Sequence, residues 1–192
     1  LIGDAETSEK QAKWDDRGSI EIPPELNRRV GKWIYYFTVR SRERFQRFLE
    51  RGMRYKTMVT RTLRDHRVPE ELFFLAMIES GFSNHAVSHA RAVGPCQLIR
   101  STGLHYGFKQ TRYIDERRDP IRATRAAARH LRDLYKNLGS WHLALAAYNA
   151  GEARVRGAIR RAGSRDYWKL VQKRVLPRET RDYVPKFLAA YT

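Results

Sequence analysis

The stretch Val68-Pro69-Glu70-Glu71-Leu72-Phe73-Phe74-Leu75-Ala76-Met77-Ile78-Glu79-Ser80-Gly81 decides the fold. Pro69 suits the first turn of a helix, where a missing N–H costs nothing. Glu70 and Glu71 follow, where the helix dipole favours negative charge. Leu72, Leu75, Ala76 and Glu79 recur at i, i+3, i+4 and i+7, and Ser80-Gly81 then stops the run. The spacing predicts a helix over 68–80 with one anomaly, since Glu79 falls on the apolar stripe. Burial disfavours the charged form of a carboxylate, and the negative end of a helix pushes the same way. A carboxylic acid kept protonated near neutrality is what a general acid needs. The same placement also suits a Glu whose head reaches water, or one paired with an Arg, and periodicity alone leaves both open.

Working outward, the helical period continues on both sides. Upstream, Leu26, Val30, Trp33, Ile34 and Phe37 form one amphipathic segment, Phe45, Phe48 and Leu49 a second, and Tyr55, Met58, Val59 and Leu63 a third. Gly52 separates the last two. Downstream, Asp119 is a good N-cap and Pro120 a good first residue for a helix over 119–137. Ala123, Ala126 and Ala127 on that helix are small enough for close packing, and Arg122, Arg125, Arg129 and Arg132 form a basic ridge. Such a ridge is either a solvated face, with Arg129 pairing Asp133, or an anion-binding surface. Residues 141–151 read as a small-residue helix that brings Tyr148 and Asn149 to its end at Gly151. Val155, Ala158, Ile159 and Ala162 mark a further helix, and Leu176 onward enters a terminal one with Pro185 inside it. No alternating strand run of useful length appears. The reading is an all-α domain over 25–192, with room for a small irregular β element around 105–115, preceded by an extended, polar lead-in over 1–24.

The chain has 192 residues, with 38 Lys+Arg against 21 Asp+Glu and a net charge of +17. Hydrophobic residues make up 42%, which excludes a disordered basic tail. No apolar run approaches the ~18 residues needed to span a bilayer. The charge calls for an anionic partner: nucleic acid, an acidic membrane surface or an acidic polymer. Cys96 is the only cysteine, so no internal disulfide or cysteine-rich zinc site can form. His85 and His89 are four apart in a Gly-flanked loop with no third ligand within reach, and are not read as a metal site. The chain opens Leu1-Ile2-Gly3-Asp4, with no initiator Met and no signal pattern, and so reads as an excised or processed piece from which any targeting segment is missing.

Four segments in order carry a resemblance. Glu79-Ser80-Gly81-Phe82 resembles the catalytic Glu-Ser-x-Phe/Tyr of the lytic transglycosylases of the goose-type-lysozyme-like superfamily. Ser88 through Gln97 resembles their Ser-x-x-Gly-Ala-x-Gly-x-x-Gln, and Ala147-Tyr148-Asn149-Ala150-Gly151 matches their Ala-Tyr-Asn-Ala-Gly. Glu179-Thr180-Arg181-Asp182-Tyr183-Val184-Pro185 resembles the Glu-Thr-x-x-Tyr-Val-Pro closing the domain in the membrane-bound lytic murein transglycosylase D group, to which the chain is most similar. The likeness runs from about residue 25 to the end. Two positions depart from the pattern: Cys96 stands where the family has a large Trp or Met, and Arg91 where it has Gly.

The resemblance implies a lysozyme-like fold, no cofactor and no metal, and peptidoglycan glycan strands as the substrate. Cleavage would fall at the bond from N-acetylmuramic acid (MurNAc) to N-acetylglucosamine (GlcNAc). It implies Glu79 as a single general acid that then acts as base, so that the muramoyl 6-hydroxyl closes a 1,6-anhydro ring. Tyr148 would orient Glu79 or the substrate's N-acetyl carbonyl, with Asn149 supporting that helix end. Ser88 and Gln97 would hydrogen-bond the sugar substituents, Cys96 and Ile99 would form the sugar-facing wall, and Tyr183 would close over the acid. The motifs fix no second carboxylate of the kind glycosidases ordinarily use, although Asp115, Glu116 and Asp119 could fold near. The setting implied is the periplasm or cell envelope, for a monomer, with any lipid or membrane anchor or glycan-binding repeats outside this chain. Competing readings are a hydrolytic muramidase and a non-catalytic peptidoglycan-binding module. A nucleic-acid binder is not expected, since no helix-turn-helix spacing or zinc ligands appear. In this light the +17 charge reads as salt-sensitive adhesion to an acidic peptidoglycan mesh.

Overall fold

A computed structural model describes residues 27–192. The lead-in assigned to 1–24, and Leu26 of the first amphipathic segment, lie outside the described residues. Helix α1 (Arg28–Tyr35) begins where the Asn27 side chain accepts from the backbone N–H groups of Arg29 and Val30 at 3.0 and 3.2 Å. It does not run to Phe37 as an α-helix. A wider π turn (Tyr36–Arg40) takes over and places the Phe37 ring on Phe45, with centroids 4.6 Å apart. Helices α2 (Arg42–Met53) and α3 (Lys56–Asp65) follow.

The decisive stretch is helical, with its start refined. Pro69 has extended backbone and precedes the first turn, Glu70–Leu72 close a single 3₁₀ turn, and α4 proper is Phe73–Ser80. Gly81 ends α4 in the left-handed region at φ +60, and a Cβ there would overlap the Phe48 ring. Glycine is required by both the angle and the space.

After α5 (Arg100–His105), the long helix α6 (Pro120–Leu138) starts under an Asp119 cap, whose carboxylate accepts from the N–H groups of Ile121 and Arg122 at 2.8 and 3.0 Å. Helix α7 (Trp141–Ala150) packs against α6, α8 (Glu152–Ala162) and α10 (Arg178–Tyr191). Leu143, Ala144, Leu145 and Ala146 are fully buried. A helix apolar all round belongs inside a core, and its alanines let the neighbours approach closely. Helix α10 packs on α1, α4 and α7, and α9 (Tyr167–Gln172) on α8.

Pro185 sits inside α10 and has no N–H to offer the carbonyl of Arg181. The Tyr167 hydroxyl donates to the carbonyls of Thr180 and Arg181 at 3.1 and 3.2 Å, which satisfies the orphaned acceptor. The irregular β element is larger than expected and mostly elsewhere. Among the described residues, isolated bridges join Gln110 to Asp115, inside the expected range, but also Val87 to Val93 and Val93 to Leu98.

Candidate active site

Because α4 packs on α10, the end of one helix meets the middle of the other, and Glu79 meets Tyr183. The Tyr183 hydroxyl donates to Oε1 of Glu79 at 2.5 Å. Burial pushes the Glu79 carboxyl up from 4.5 to about 7, against the lowering effects of the Tyr183 hydrogen bond and the Lys186 charge, and the Glu179 charge pushes it the same way as burial. Desolvation therefore wins over two stabilising partners, and a substantial fraction of Glu79 is protonated at neutral pH. Burial first, then the Glu79 charge beside it, holds the Tyr183 hydroxyl well above its ordinary range, so it stays a donor.

Tyr183 is positioned through the segment Ala147–Gly151. Asn149, at the end of α7, donates through Nδ2 to Glu179 at 3.0 Å and accepts through Oδ1 from the Thr180 hydroxyl at 2.8 Å. This clasp joins Ala-Tyr-Asn-Ala-Gly to the first turn of α10, one turn before Tyr183. Tyr148, one residue earlier, donates to the carbonyl of Cys96 at 2.6 Å. Its hydroxyl holds the loop, while Tyr183 is the residue that contacts the acid.

The opposing loop, 81–99, is organised by backbone shape and polar ties. Phe82, Arg91 and Gln97 all have positive φ, at 59, 56 and 48 degrees. Arg91 thus keeps the left-handed backbone that explains a Gly in the family pattern, at the strain a side chain brings there. Gly94 has φ +83, and a Cβ on it would overlap the carbonyl oxygen of Arg117. The Ser80 hydroxyl donates to the Pro95 carbonyl at 2.8 Å, and the Ser83 N–H donates to Ser80 Oγ at 3.1 Å. The Ser88 hydroxyl accepts from the Ala92 N–H at 3.1 Å. Gln97 Nε2 donates to the Gly94 carbonyl at 2.8 Å. Ser88 and Gln97 thus both brace the loop.

Of the two wall residues, Ile99 is 46% exposed and Cys96 only 3%. Burial and the nearby Glu79 push the Cys96 thiol up to about 12, so it is an inert, packed group. Of the pair, only Ile99 presents appreciable surface.

The carboxylates named as possible second acids are all engaged elsewhere. Asp115 forms a two-pronged pair with Arg117 at 2.9 and 2.7 Å, which holds its carboxyl below the usual range. The same Arg117 donates to the carbonyls of Arg91 and Leu98 at 3.2 and 3.1 Å, tying the loop to the 115–118 segment. Glu116 pairs with Arg122 at 2.8 Å, and Asp119 is the α6 cap. The carboxylate whose charge does reach Glu79 is Glu179, clasped by Asn149.

Sequence reasoning missed Lys186. Its ammonium donates to the Ile78 carbonyl at 2.9 Å, next to Glu79, and its charge lowers the acid's pKa. The signal was in the spacing, for Lys186 follows Tyr183 by three residues and Glu179 by seven on the same face of α10.

Fold and site together define a lysozyme-like helical domain with a partly buried acid that accepts from a tyrosine and feels the charge of a nearby lysine. Residues 57–171, more than half of the chain, match the family described as Transglycosylase SLT domain. The chain is 39% identical to membrane-bound lytic murein transglycosylase D of Escherichia coli strain K12, over 97% of this chain and 45% of that protein. Among solved structures, the 70 kDa soluble lytic transglycosylase SLT70 of Escherichia coli superposes with a TM-score of 0.63 at 25% identity, over 71% of this chain and 23% of that one. An inactive variant of the lytic transglycosylase Slt of Pseudomonas aeruginosa gives a TM-score of 0.61 at 24% identity, over 72% of this chain and 23% of that one. The protein belongs to the SLT transglycosylase family. It spans less than half the length of the lytic murein transglycosylase D that it matches.

Proposed function

We propose that this protein is a peptidoglycan lytic transglycosylase that cleaves the MurNAc-β-1,4-GlcNAc bond and leaves 1,6-anhydroMurNAc ends. The observation that carries the reading is Glu79, raised to about 7 by burial and contacted by Tyr183. Protonated Glu79 donates to the leaving glycosidic oxygen as the C1–O bond breaks. The carboxylate so formed accepts the Tyr183 O–H and faces the Lys186 charge, both of which favour the ionised form. The substrate's N-acetyl group or the field of the cleft stabilises the developing oxocarbenium charge. Glu79 then takes the proton of the muramoyl 6-hydroxyl as that oxygen bonds to C1. The proton goes out and returns, so no water is consumed and one carboxyl serves twice. A two-carboxylate mechanism finds less support, since Asp115, Glu116 and Asp119 are committed to structural contacts.

Two predicted roles take a different form in this reading. Tyr183, rather than Tyr148, orients the acid, and Tyr148 with Ser88 and Gln97 shapes the loop that lies across the sugar. The name of the Escherichia coli relative supports a cell-envelope setting and glycan strands as the partner. Among the described residues no helix is long and apolar enough to cross a membrane. Zymography on purified sacculi tests the assignment: the protein as given clears the gel, and Glu79→Gln does not. Clearing by Glu79→Gln at the parental rate would overturn it.

A further inference from the structure

The end of α4 that carries Glu79 is held by two cations from two other helices. The backbone closes only part of that end. The Gly81 N–H donates to the Met77 carbonyl at 2.9 Å, and the Phe82 N–H to the Ala76 carbonyl at 3.2 Å. The Ile78 carbonyl accepts instead from the Lys186 ammonium of α10 at 2.9 Å, and the Gly81 carbonyl from the Arg51 guanidinium of α2 at 2.9 Å. Each cation also lies on a ring. Lys186 stands 5.8 Å from the centroid of Trp33, and Arg51 stands 5.8 Å from that of Phe48, the ring that closes on Gly81. Among the described residues neither cation has a carboxylate within ion-pair distance.

A neutral donor would satisfy either carbonyl, so the charge has a separate reason. The last carbonyls of a helix form its negative end, and Glu79 adds a full negative charge there only after it has given up its proton. The attraction to Lys186 is reciprocal. The Lys186 charge favours the ionised carboxylate, and the Glu79 charge favours the ammonium against the burial that disfavours it. The contact is therefore stronger after proton transfer than before, and such a difference is what accelerates a step. The other titratable groups around the acid do not supply it. Burial keeps Cys96 in the loop and Tyr148 on α7 neutral, and Tyr183 stays a donor. Glu179 on α10 repels the carboxylate, and Arg44 on α2 disfavours the charge of Lys186.

We propose that Arg51 and Lys186 are positioning residues for Glu79, a two-cation cap in which Arg51 fixes the turn behind the acid and Lys186 steadies the carboxylate between its two proton transfers. This rests on the reading of Glu79 as the acid, and it brings α2 into the catalytic device.

A ¹³C NMR titration of the Glu79 carboxyl, identified as the signal missing from Glu79→Gln, reads the cap without turnover. Lys186→Met should move the midpoint to higher pH, and Lys186→Arg should return most of the shift. Equal midpoints in all three proteins would overturn the part given to Lys186. Turnover on sacculi reads Arg51. Arg51→Met should lower kcat about tenfold with KM within about twofold. Arg51→Lys should keep more of the parental kcat than Arg51→Gln, which offers a donor without the charge. A parental kcat in Arg51→Met, a loss carried by KM alone, or equal kcat in the Lys and Gln variants would overturn the part given to Arg51. A Glu79 midpoint that follows Lys186 while the parental protein releases no anhydro product would instead overturn the catalytic reading and support the cap.

Discussion

Glu79 and Tyr183 stand on helices whose register is set by packing, whereas the loop that faces them has almost no regular structure. On the helical side, α4 and α10 are held by a core in which Leu143, Leu145, Val184, Phe187 and Leu188 have no exposure at all. Packing of this density fixes side chains to within fractions of an ångström without using the acid itself. On the loop side, position depends on left-handed backbone at Arg91, Gly94 and Gln97 and on the single guanidinium of Arg117. The difference shows how the acid can be enclosed and its pKa raised while the opposing wall remains adjustable by a few polar contacts. Lesions on the two sides should accordingly differ in kind.

The largest effect belongs to the helical side. Glu79→Gln keeps the shape and removes the proton, so turnover should fall by about 10²–10⁴-fold or more with the folded state retained. A circular dichroism spectrum and melting curve alongside the turnover assay check both halves of that statement. Next comes the loop side. Arg117→Met leaves Asp115 unpaired and two carbonyls without their donor, and should cost about 3 kcal/mol in urea unfolding. The same pair makes the loop acid-sensitive. Asp115 has a lowered pKa in the fold, so its stabilisation is present above its unfolded value near 4 and is lost as pH falls through the lowered one. A Met variant as stable as the parent would mean the loop stands without its tie.

A subtler test lies where the two sides meet the acid. Tyr183→Phe removes a donor that lowers the Glu79 pKa, so that pKa should rise above about 7. The acid then stays protonated to higher pH, and the alkaline limb of kcat/KM moves upward, while the maximum falls about tenfold because the ionised intermediate loses its donor. A limb that stays in place would show that Tyr183 packs without tuning. The smallest effect is at the clasp. Asn149→Ala removes contacts to Glu179 and Thr180 at a half-buried helix junction, and should lower stability by about 1 kcal/mol in thermal unfolding.

What could be read from the sequence follows the same division. Helices α4, α6 and α7 are legible because each obeys a local rule, apolar spacing, an Asp cap followed by Pro, or a run of small residues, and each ends at a Gly. Glu79 is legible as an anomaly on its own stripe. The extent of the irregular β element was not, since a β bridge in a loop leaves no periodic pattern. The motif did place Tyr183 over the acid, but it did not show that the Tyr148 hydroxyl goes to the Cys96 carbonyl, because that depends on how α7 lies against the loop, a long-range contact. Ser88 and Gln97 could be placed in the loop by motif, but their hydrogen bonds to Ala92 and Gly94 arise from turns that only the folded backbone defines. Cys96 shows the same limit, for its neighbours decide whether a small side chain faces a cleft or the core.

The central claim is that one carboxyl takes a proton back from the substrate's own hydroxyl. Mass spectrometry of muropeptides released from sacculi in H₂¹⁸O tests it most directly. The account predicts 1,6-anhydro ends with no ¹⁸O incorporated, and none of these ends with Glu79→Gln. Reducing ends carrying ¹⁸O would make water the acceptor and contradict it.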